Sequence, residues 1–479
     1  MNIIKKLKNM PITLKVSLAY TFCNILQKCL SFITLPLFTR LLTQEQYGQY
    51  SIYASWMGII TIFISMNLPY GSFSTAMVKF EDKREEYISS VQSICTVLGL
   101  LFVAIYLPFS KYLNKLFELP TELMLLMVIE IVMQTSILFW NGKMRFEYKY
   151  KGVVAITLVM SFLSPVLAYF FVTNSEEKGY ARILGYALII ILFGLFFYVY
   201  NYIKGKKFFN KKFWKYALGF NGPLIIYYLS QVIFNQSDRI MISHYSGTDK
   251  AGIYSVAYAL STMLVFVLNA INNSYVPWYY GKIKEGKSSD NKKVANMISL
   301  LMCVILLAVI WLAPEIIYIM AGKEYYEAIW IVPPVTMSLL LLFYTQLFAN
   351  VEFYYEKKWA LIGASVGAAI INIVLNYIFI PIFGYIVAGY TTLISYIVFA
   401  ISNYFTMRLI LNKMKVEFDA FDLKSLILIC VVFMIVGFGG MLLYDYTIVR
   451  ICVVAVAFLL SVVNAKKIYS YFKNMKQVK

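Results

Sequence analysis

The sequence predicts an all-α polytopic membrane protein of about fourteen transmembrane helices. Hydrophobic residues make up 61% of the 479 residues and charged residues only 14%, too few to cover the surface of a water-soluble protein of this length. Apolar runs of about 20 residues, the length that a helix needs to cross the hydrocarbon core, recur along the chain. Runs such as residues 300–312 are apolar on all sides, which excludes the alternating pattern of a membrane β-barrel.

The apolar runs group into a six-helix N-terminal lobe, a six-helix C-terminal lobe and two C-terminal helices. The predicted domains are residues 1–210, residues 211–415, and residues 416–479, which include a cytoplasmic tail. In chain order the fourteen predicted spans are residues 14–38, 51–68, 88–109, 123–140, 152–173, 183–203, 216–235, 251–276, 294–313, 329–351, 359–382, 385–411, 423–444 and 448–468.

The distribution of positive charge gives the orientation of these spans. If the N-terminus is cytoplasmic, 33 of the 43 Lys and Arg residues lie in or beside inside segments, nine lie outside, and Lys28 lies within the first span. Such an excess is typical of cytoplasmic loops. We therefore predict a multi-pass protein with both termini in the cytoplasm. Topology and attraction to an anionic inner leaflet account for the net charge of +19 without a nucleic-acid partner.

A short repeat supports the two-lobe arrangement. Residues 48–52, GQYSI, resemble residues 252–256, GIYSV, and each segment opens a predicted span. Pro69-Tyr70 and Pro277-Trp278 are predicted to close the same two spans. Two halves with equal orientation are the parallel-repeat design of transporters that rock about a central site. A chance match of small and aromatic interface residues is the alternative.

The chain offers no catalytic or metal-binding pattern. Its single histidine, His244, falls in a predicted outside loop without a nucleophile or paired carboxylates, and its six cysteines lie within apolar runs. No loop exceeds about twenty residues, and no phosphate-binding loop is present. We predict a protein that is not an enzyme and has no cofactor or metal. Its energy source could be a proton gradient or a sodium gradient, and the sequence leaves both alternatives open.

Two ionisable residues lie within predicted spans. Lys28 is midway through the first span and Glu130 midway through the fourth. A charge at this depth costs at least about 2.5 kcal/mol unless it meets water or a partner. Either Lys28 faces a water-filled substrate cavity, where it meets an anionic group such as phosphate, or it pairs with Glu130.

Charges at the outer ends of two spans suggest a gate. Arg40 ends the first span, and Asp238 and Arg239 follow the seventh. One hypothesis is that Arg40 and Asp238 pair across the lobes when the outer side is closed. The alternative is that each side chain extends to the lipid headgroups.

The eleventh span carries a helix-packing pattern. Gly363 and Gly367 are four residues apart, and Asn372 and Asn376 continue at the same spacing. Small residues at this spacing allow close contact between membrane helices. We predict a packing role for all four residues.

Several segments together resemble the Wzx-type polysaccharide flippases, a polysaccharide transporter family within the MATE/MOP exporter superfamily. The similar segments cover nearly the whole chain and are residues 35–42, 45–50, 237–239, 251–254, 272–278, 322–325, 372–377, Pro381 and Gly384.

The resemblance implies two six-helix lobes that expose a central cavity alternately to each side of a bacterial cytoplasmic membrane. The implied cargo is an undecaprenyl-diphosphate-linked oligosaccharide, delivered to the outer leaflet for capsule, O-antigen or exopolysaccharide assembly. Membrane lipid and a polysaccharide polymerase are the implied partners. In a related flippase, the last two helices border a groove for the lipid tail.

Two other functions compete with this hypothesis. A multidrug or organic-cation antiporter of the same superfamily would need intramembrane carboxylates, and only Glu130 is deep in a predicted span. A membrane enzyme such as a polysaccharide polymerase would need a large outside loop with reactive residues, which the sequence does not contain.

Overall fold

The computed structural model describes residues 11–355, 358–416 and 419–463. Within these residues the chain is a succession of helices joined by short turns. The α-helices are α1 Ile12–Leu41, α2 Gln44–Ser65, α3 Phe73–Lys79, α4 Arg84–Tyr106, α5 Ser110–Phe117, α6 Thr121–Phe146, α7 Tyr150–Thr173, α8 Lys178–Gly205, α9 Lys211–Asn221, α10 Ile225–Ser246, α11 Thr248–Thr262, α12 Val265–Lys284, α13 Asn291–Trp311, α14 Ala313–Met320, α15 Val332–Tyr354, α16 Lys358–Phe383, α17 Val387–Lys413, α18 Leu423–Met441 and α19 Thr447–Val463. Short 3₁₀ segments are Glu81–Lys83, Leu107–Phe109, Gly222–Leu224, Ser288–Asp290 and Lys323–Trp330.

The helical membrane fold predicted from the sequence is confirmed. Among the described residues, twelve helical stretches are long and apolar enough to cross a membrane. The 22-residue α2, which begins with polar residues, and the 17-residue α19 occupy the other two predicted spans. Residues 464–468 of the last predicted span, and the predicted tail beyond them, lie outside the described residues.

The chain divides into two compact units, the first ending at Ser243 and the second beginning at His244. The division falls in the last turn of α10. The predicted lobe boundary between residues 210 and 211 stays a prediction.

In the first unit, a sharp break separates α2 from α3. Thr43 and Gln46 form a capping box that begins α2, and Met66 and Asn67, both at positive φ, end it. The fully buried Asn221 of α9 fixes the segment after the break: its side chain donates to the Met66 carbonyl at 3.2 Å and accepts from the Ser72 amide at 3.0 Å. The amphipathic α9 is thereby held against the end of α2.

In the second unit, a buried arginine joins the last helix to α13 and α14. Arg450 of α19 is 1% exposed and donates to both carboxylate oxygens of Glu315, at 2.7 and 2.9 Å. It also donates to the backbone carbonyls of Trp311, Leu443 and Tyr444. Because these hydrogen bonds are charge-assisted, Arg450 fixes the N-terminal end of α19.

One sequence prediction needs correction. Pro277-Trp278 do not close the eighth span: they lie inside α12, which continues to Lys284. A Cβ added at Gly363 or Gly367 would meet no described atom within 4 Å, and the predicted packing role of these glycines stays a prediction.

Candidate functional site

Three helices of the first unit carry polar residues at helical spacing on one face. These stripes lie within otherwise apolar sequences, where a polar face needs a protein partner or water. The residues are Gln27, Ser31 and Thr34 on α1, Gln134 and Asn141 on α6, and Thr157, Ser161 and Ser164 on α7.

The stripes converge on a cavity of about 360 Å³, which we call the amide cavity. Its size is within the usual range for ligand pockets. None of the described residues that line it carries a charge. The lining residues are Gln27, Leu30, Ser31, Thr34, Gln134, Ile137, Leu138, Asn141, Thr157, Met160, Ser161, Ser164, Pro165, Tyr186 and Ile190.

The wall of the amide cavity is only partly hydrogen-bonded. Gln27 Nε2 donates to Ser161 Oγ at 2.9 Å and so joins α1 to α7. Asn141 Oδ1, by contrast, is buried and has no hydrogen-bond partner among the described residues. Pro165 lacks the amide that would bond the carbonyl of Ser161. The cavity therefore offers acceptors that a hydroxyl-rich ligand can satisfy.

A second cavity of about 530 Å³, which we call the arginine cavity, adjoins the first. The two share Leu138 and Asn141 of α6. Arg145 is the one charged residue among the described residues that line it. The lining residues are Pro69, Tyr70, Phe73, Ser74, Leu138, Asn141, Gly142, Arg145, Phe146 and Tyr148.

The structure does not bring Lys28 and Glu130 together. Lys28 is exposed on α1 beside the cavity residue Gln27, and no ion pair involves it among the described residues. Glu130 is 4% exposed and accepts a hydrogen bond from the Tyr53 hydroxyl at 2.8 Å. Neither residue lines the amide cavity or the arginine cavity. Glu130 thus has a neutral partner.

The three residues of the predicted outer gate all lie in the first unit. Arg40 is exposed in the last turn of α1, and Asp238 is buried in α10. Arg239 donates to the Asn235 carbonyl at 2.9 Å and to Gln236 Oε1 at 2.7 Å. The pairing of Arg40 with Asp238 stays a prediction.

The two asparagines of α16 are fully buried and hydrogen-bonded. Asn376 Nδ2 donates to Asn372 Oδ1 at 3.4 Å, and Thr391 of α17 donates to Asn376 Oδ1. Contact between α16 and α17 therefore involves polar side chains as well as apolar packing.

Another buried cation, which the sequence analysis did not single out, lies near the start of α8. The guanidinium of Arg182 lies 3.8 Å from the ring centre of Tyr50 and 4.5 Å from those of Phe38 and Tyr47. Its Nε and Nη1 atoms have no hydrogen-bond partner among the described residues. Cation–π contacts thus stabilise this charge.

A second buried carboxylate lies in the second unit. Glu352 of α15 is fully buried, and neither of its oxygens has a hydrogen-bond partner among the described residues. The sequence pattern did not reveal this carboxylate, because the tenth predicted span ends at Val351, whereas α15 continues to Tyr354.

The second unit also contains a cavity, of about 480 Å³, between α15, α17 and α18. We call it the apolar cavity. Its lining residues are Leu341, Tyr344, Phe348, Ile397, Ala400, Ile401, Tyr404, Phe405, Leu423, Leu426, Ile427, Cys430, Val431 and Met434. The Tyr344 hydroxyl donates to the Leu426 carbonyl at 3.1 Å, so this polar group is already satisfied.

No metal centre is evident in the part of the chain that the structure describes: no group of three or more His, Cys, Asp or Glu side chains is placed to hold an ion.

Comparison with solved structures identifies the fold. The structure titled "Lipid II flippase MurJ, inward closed conformation" matches with a TM-score of 0.71 at 16% identity, covering 94% of this chain and 99% of that chain. An inward-facing multidrug resistance MATE family transporter of the MOP superfamily matches with a TM-score of 0.59 at 15% identity, covering 81% of this chain and 95% of that chain. The chain has the fold of these transporters.

Comparison of sequences identifies the family. A Haemophilus influenzae protein described as "Lsg locus putative protein 1" is 25% identical over 377 residues, which cover 75% of this chain and 89% of that protein. The family model described as "Polysaccharide biosynthesis protein" matches residues 13–280, more than half of the chain. The chain therefore belongs to the polysaccharide biosynthesis protein family, in agreement with its resemblance to polysaccharide flippases of the MOP superfamily.

Proposed function

We propose that this protein is an alternating-access flippase for undecaprenyl-diphosphate-linked oligosaccharide repeat units. It moves them from the inner to the outer leaflet of a bacterial cytoplasmic membrane for capsule, O-antigen or exopolysaccharide assembly. Membership of the polysaccharide biosynthesis family and the fold shared with a lipid II flippase support this proposal.

The observation that carries the proposal is the chemistry of the amide cavity. Its polar groups are amides and hydroxyls, which donate to and accept from sugar hydroxyls without a net charge. The unsatisfied Asn141 Oδ1 favours a ligand that brings hydroxyl donors. An uncharged saccharide fits these conditions.

The rival function, an organic-cation antiporter, is less well supported. A cation in a low-dielectric cavity needs a carboxylate nearby. None of the described residues lining the amide, arginine or apolar cavity is acidic. Glu130 is hydrogen-bonded to Tyr53 away from the cavity lining.

We also propose that transport is coupled to an ion gradient, with the proton favoured over sodium. An ionised carboxylate buried without partners is very costly, so Glu352 is expected to be protonated when buried and to release its proton when it meets water. The helices packed against α15 bear described charged side chains only near their ends, and the 3₁₀ segment Lys323–Trp330 adds three more. These residues are Asp249 and Lys250 on α11, Lys282 and Lys284 on α12, Lys292 and Lys293 on α13, Lys323, Glu324 and Glu327 on the 3₁₀ segment, Arg408 and Lys413 on α17 and Lys424 on α18. None of these residues hydrogen-bonds Glu352 or forms a salt bridge with it.

Depletion of the protein from its host tests the proposed function. Undecaprenyl-diphosphate-linked oligosaccharide is labelled with an impermeant sugar reagent on intact cells and on opened vesicles. The proposal predicts accumulation confined to the inner leaflet together with loss of surface polysaccharide. Unchanged amounts and sidedness, with increased sensitivity to cationic drugs, would support the antiporter instead.

A further inference from the structure

The amide cavity and the arginine cavity together follow one helix. Both are lined by Leu138 and Asn141, and the lining residues on α6 extend from Gln134 to Phe146. The eleven-residue separation of Gln134 and Arg145 corresponds to about 16 Å along a helix axis. A ligand longer than one sugar can thus lie along α6 with its two ends in different chemical surroundings.

Arg145 differs from the other cations at this end of α6. Lys143 is bonded to Glu85, and Lys149 is bonded to Glu147 at 2.6 Å. Arg145 is exposed at the arginine cavity and forms no ion pair among the described residues. The nearby acidic groups therefore neutralise lysines and leave the guanidinium charge for a ligand.

Aromatic residues orient Arg145 without neutralising it. Its guanidinium carbon lies 4.6 Å from the ring centre of Tyr20, a cation–π contact. Tyr70 lines the arginine cavity together with Arg145, and 63% of it is exposed. Stacking on a ring fixes the plane of the guanidinium and leaves its edge, which carries the donors, for an anion.

The turn after α6 holds a tyrosine where a glycine is usual. The Lys149 amide donates to the Met144 carbonyl at 2.8 Å and the Tyr148 amide to the Arg145 carbonyl at 3.1 Å, which together form a Schellman motif. Tyr148 occupies its left-handed position with φ of 58° and lines the arginine cavity. This conformation is strained for a residue other than glycine. The turn thereby places the Tyr148 ring in the same cavity lining as Arg145.

We infer that the arginine cavity binds the diphosphate of the lipid-linked cargo and that the adjoining amide cavity binds its first sugars. This inference rests on the proposed function. Arginine presents a planar fork of donors that matches phosphate oxygens, which makes it suited to a diphosphate. The charge distribution assigns this end of α6 to the cytoplasm, the side on which such cargo is made.

The subsite differs from the one expected from the sequence. In the sequence, Lys28 is a candidate to bind the anionic group of the cargo, because it lies within a predicted span. Lys28 lines neither cavity, whereas Arg145, one of the inside cations attributed to topology, lines the larger one. The anion is therefore assigned to the end of α6 rather than to the middle of α1.

Binding of three lipids to the purified full-length protein, measured by native mass spectrometry, tests the inference. The lipids are undecaprenyl diphosphate, undecaprenol and phosphatidylglycerol. The wild type is expected to prefer undecaprenyl diphosphate, and Arg145→Gln to weaken that binding about tenfold, the effect of losing one charge-assisted contact. Arg145→Lys should retain part of the affinity, and undecaprenol binding should not change.

Lys149→Gln is the matched control, because it removes the same charge from an exposed residue outside the cavity lining. An equal loss in this variant would show a general surface-charge effect and overturn the inference. Equal competition by phosphatidylglycerol would identify a headgroup site and also overturn it.

The outcome for this subsite is separable from that for the proposed function. Arg145→Gln could bind undecaprenyl diphosphate as the wild type does, while depletion still traps oligosaccharide in the inner leaflet. That result would support the flippase function and exclude the proposed subsite. If the wild type shows no preference for the diphosphate and depletion has no effect, both fall.

Discussion

The two units of the chain treat polar groups in opposite ways. In the first unit the polar groups that line the amide cavity are amides and hydroxyls, and Asn141 keeps an unsatisfied oxygen there. In the second unit the apolar cavity is lined mainly by aliphatic and aromatic side chains. The Tyr344 hydroxyl in this lining donates to a backbone carbonyl. Under the proposed function, we therefore expect the polar part of the cargo to be recognised in the first unit and hydrocarbon to be accommodated in the second.

The buried charged residues also differ between the two units, but the arginines and the carboxylates differ in opposite directions. Arg182 of the first unit rests on aromatic rings with two nitrogen atoms unbonded, whereas Arg450 of the second donates to a carboxylate and three carbonyls. For carboxylates the order is reversed: Glu130 has Tyr53 as donor, and Glu352 has no partner among the described residues. Each unit thus contains, among its described buried ionisable residues, both a hydrogen-bonded group and one that lacks a hydrogen-bond partner.

The largest expected effect is on the satisfied arginine. Arg450→Gln should lower the free energy of unfolding by about 3–5 kcal/mol, because it leaves the Glu315 carboxylate and several carbonyls without their donor. Arg182→Gln loses only cation–π contacts and should cost about 1–2 kcal/mol. Denaturant unfolding of the purified protein in detergent measures both. Equal losses would contradict the distinction between the two arginines.

The two carboxylates give the next contrast. Tyr53→Phe removes the one described hydrogen-bond donor to Glu130 and should cost about 1–3 kcal/mol, the penalty for an unsatisfied buried acceptor. Glu352→Gln removes no described hydrogen bond and should leave stability within about 1 kcal/mol of the wild type.

Thermal melting at fixed detergent concentration compares these two variants. A loss in Glu352→Gln as large as in Tyr53→Phe would show that Glu352 has a partner that stabilises it. If Glu352 carries the coupling proton, its Gln variant should also lose the dependence of transport on a proton gradient.

Asn141→Leu separates function from stability within the first unit. The substitution keeps the side-chain volume and removes a buried amide whose oxygen is unsatisfied, so the melting temperature should be unchanged or higher. Export of oligosaccharide should nevertheless fall about tenfold, since Asn141 lies where the two cavities meet.

Met434→Leu, in the apolar cavity, is the matched apolar control and should leave export unaffected. Comparable transport by Asn141→Leu and the wild type would exclude the amide cavity as the polar site.

The smallest expected effect is at the exposed surface of the second unit. The Tyr385 hydroxyl and Lys250 both donate to Glu327 and hold the pKa of its carboxyl below the ordinary value. A lowered pKa gives a contribution that is present above the ordinary value and is lost as pH falls through the lowered one. The contribution is small, because the Glu327 side chain is 55% exposed.

The difference in melting temperature between the wild type and Glu327→Gln, followed from pH 7 to pH 3, measures this contribution. It should be slight at neutral pH and vanish in acid. A difference in melting temperature that grows as the pH falls would contradict a stabilising interaction of ionised Glu327 with Tyr385 and Lys250.

The sequence was sufficient for the membrane fold and insufficient for the site. Each span is a local run of apolar residues, so its length and flanking charges reveal it without any tertiary information. The amide cavity consists of polar residues spread over helices distant in sequence, such as Gln27 and Ser161, and only packing brings them together. Glycine spacing by itself likewise does not identify a packing partner: a Cβ added at Gly363 or Gly367 would meet no described atom within 4 Å.

The functional charges show the same limit. Lys28 attracted attention because a cation within a span is costly, yet it lies outside the lining of the described cavities. Arg145 does not stand out in the sequence, because topology alone explains cations at the ends of spans. Glu352 lay one residue beyond a predicted span end, where a carboxylate needs no explanation until its burial is known.

Reconstitution tests the central claim, that the first unit carries the polar part of a lipid-linked oligosaccharide across the membrane. Purified protein is placed in vesicles that contain undecaprenyl-diphosphate-linked oligosaccharide, and an impermeant sugar reagent reports how much of it reaches the outer leaflet. The account predicts protein-dependent translocation that is strongly reduced in Asn141→Leu and retained in Met434→Leu. Equal labelling with and without the wild-type protein would contradict it.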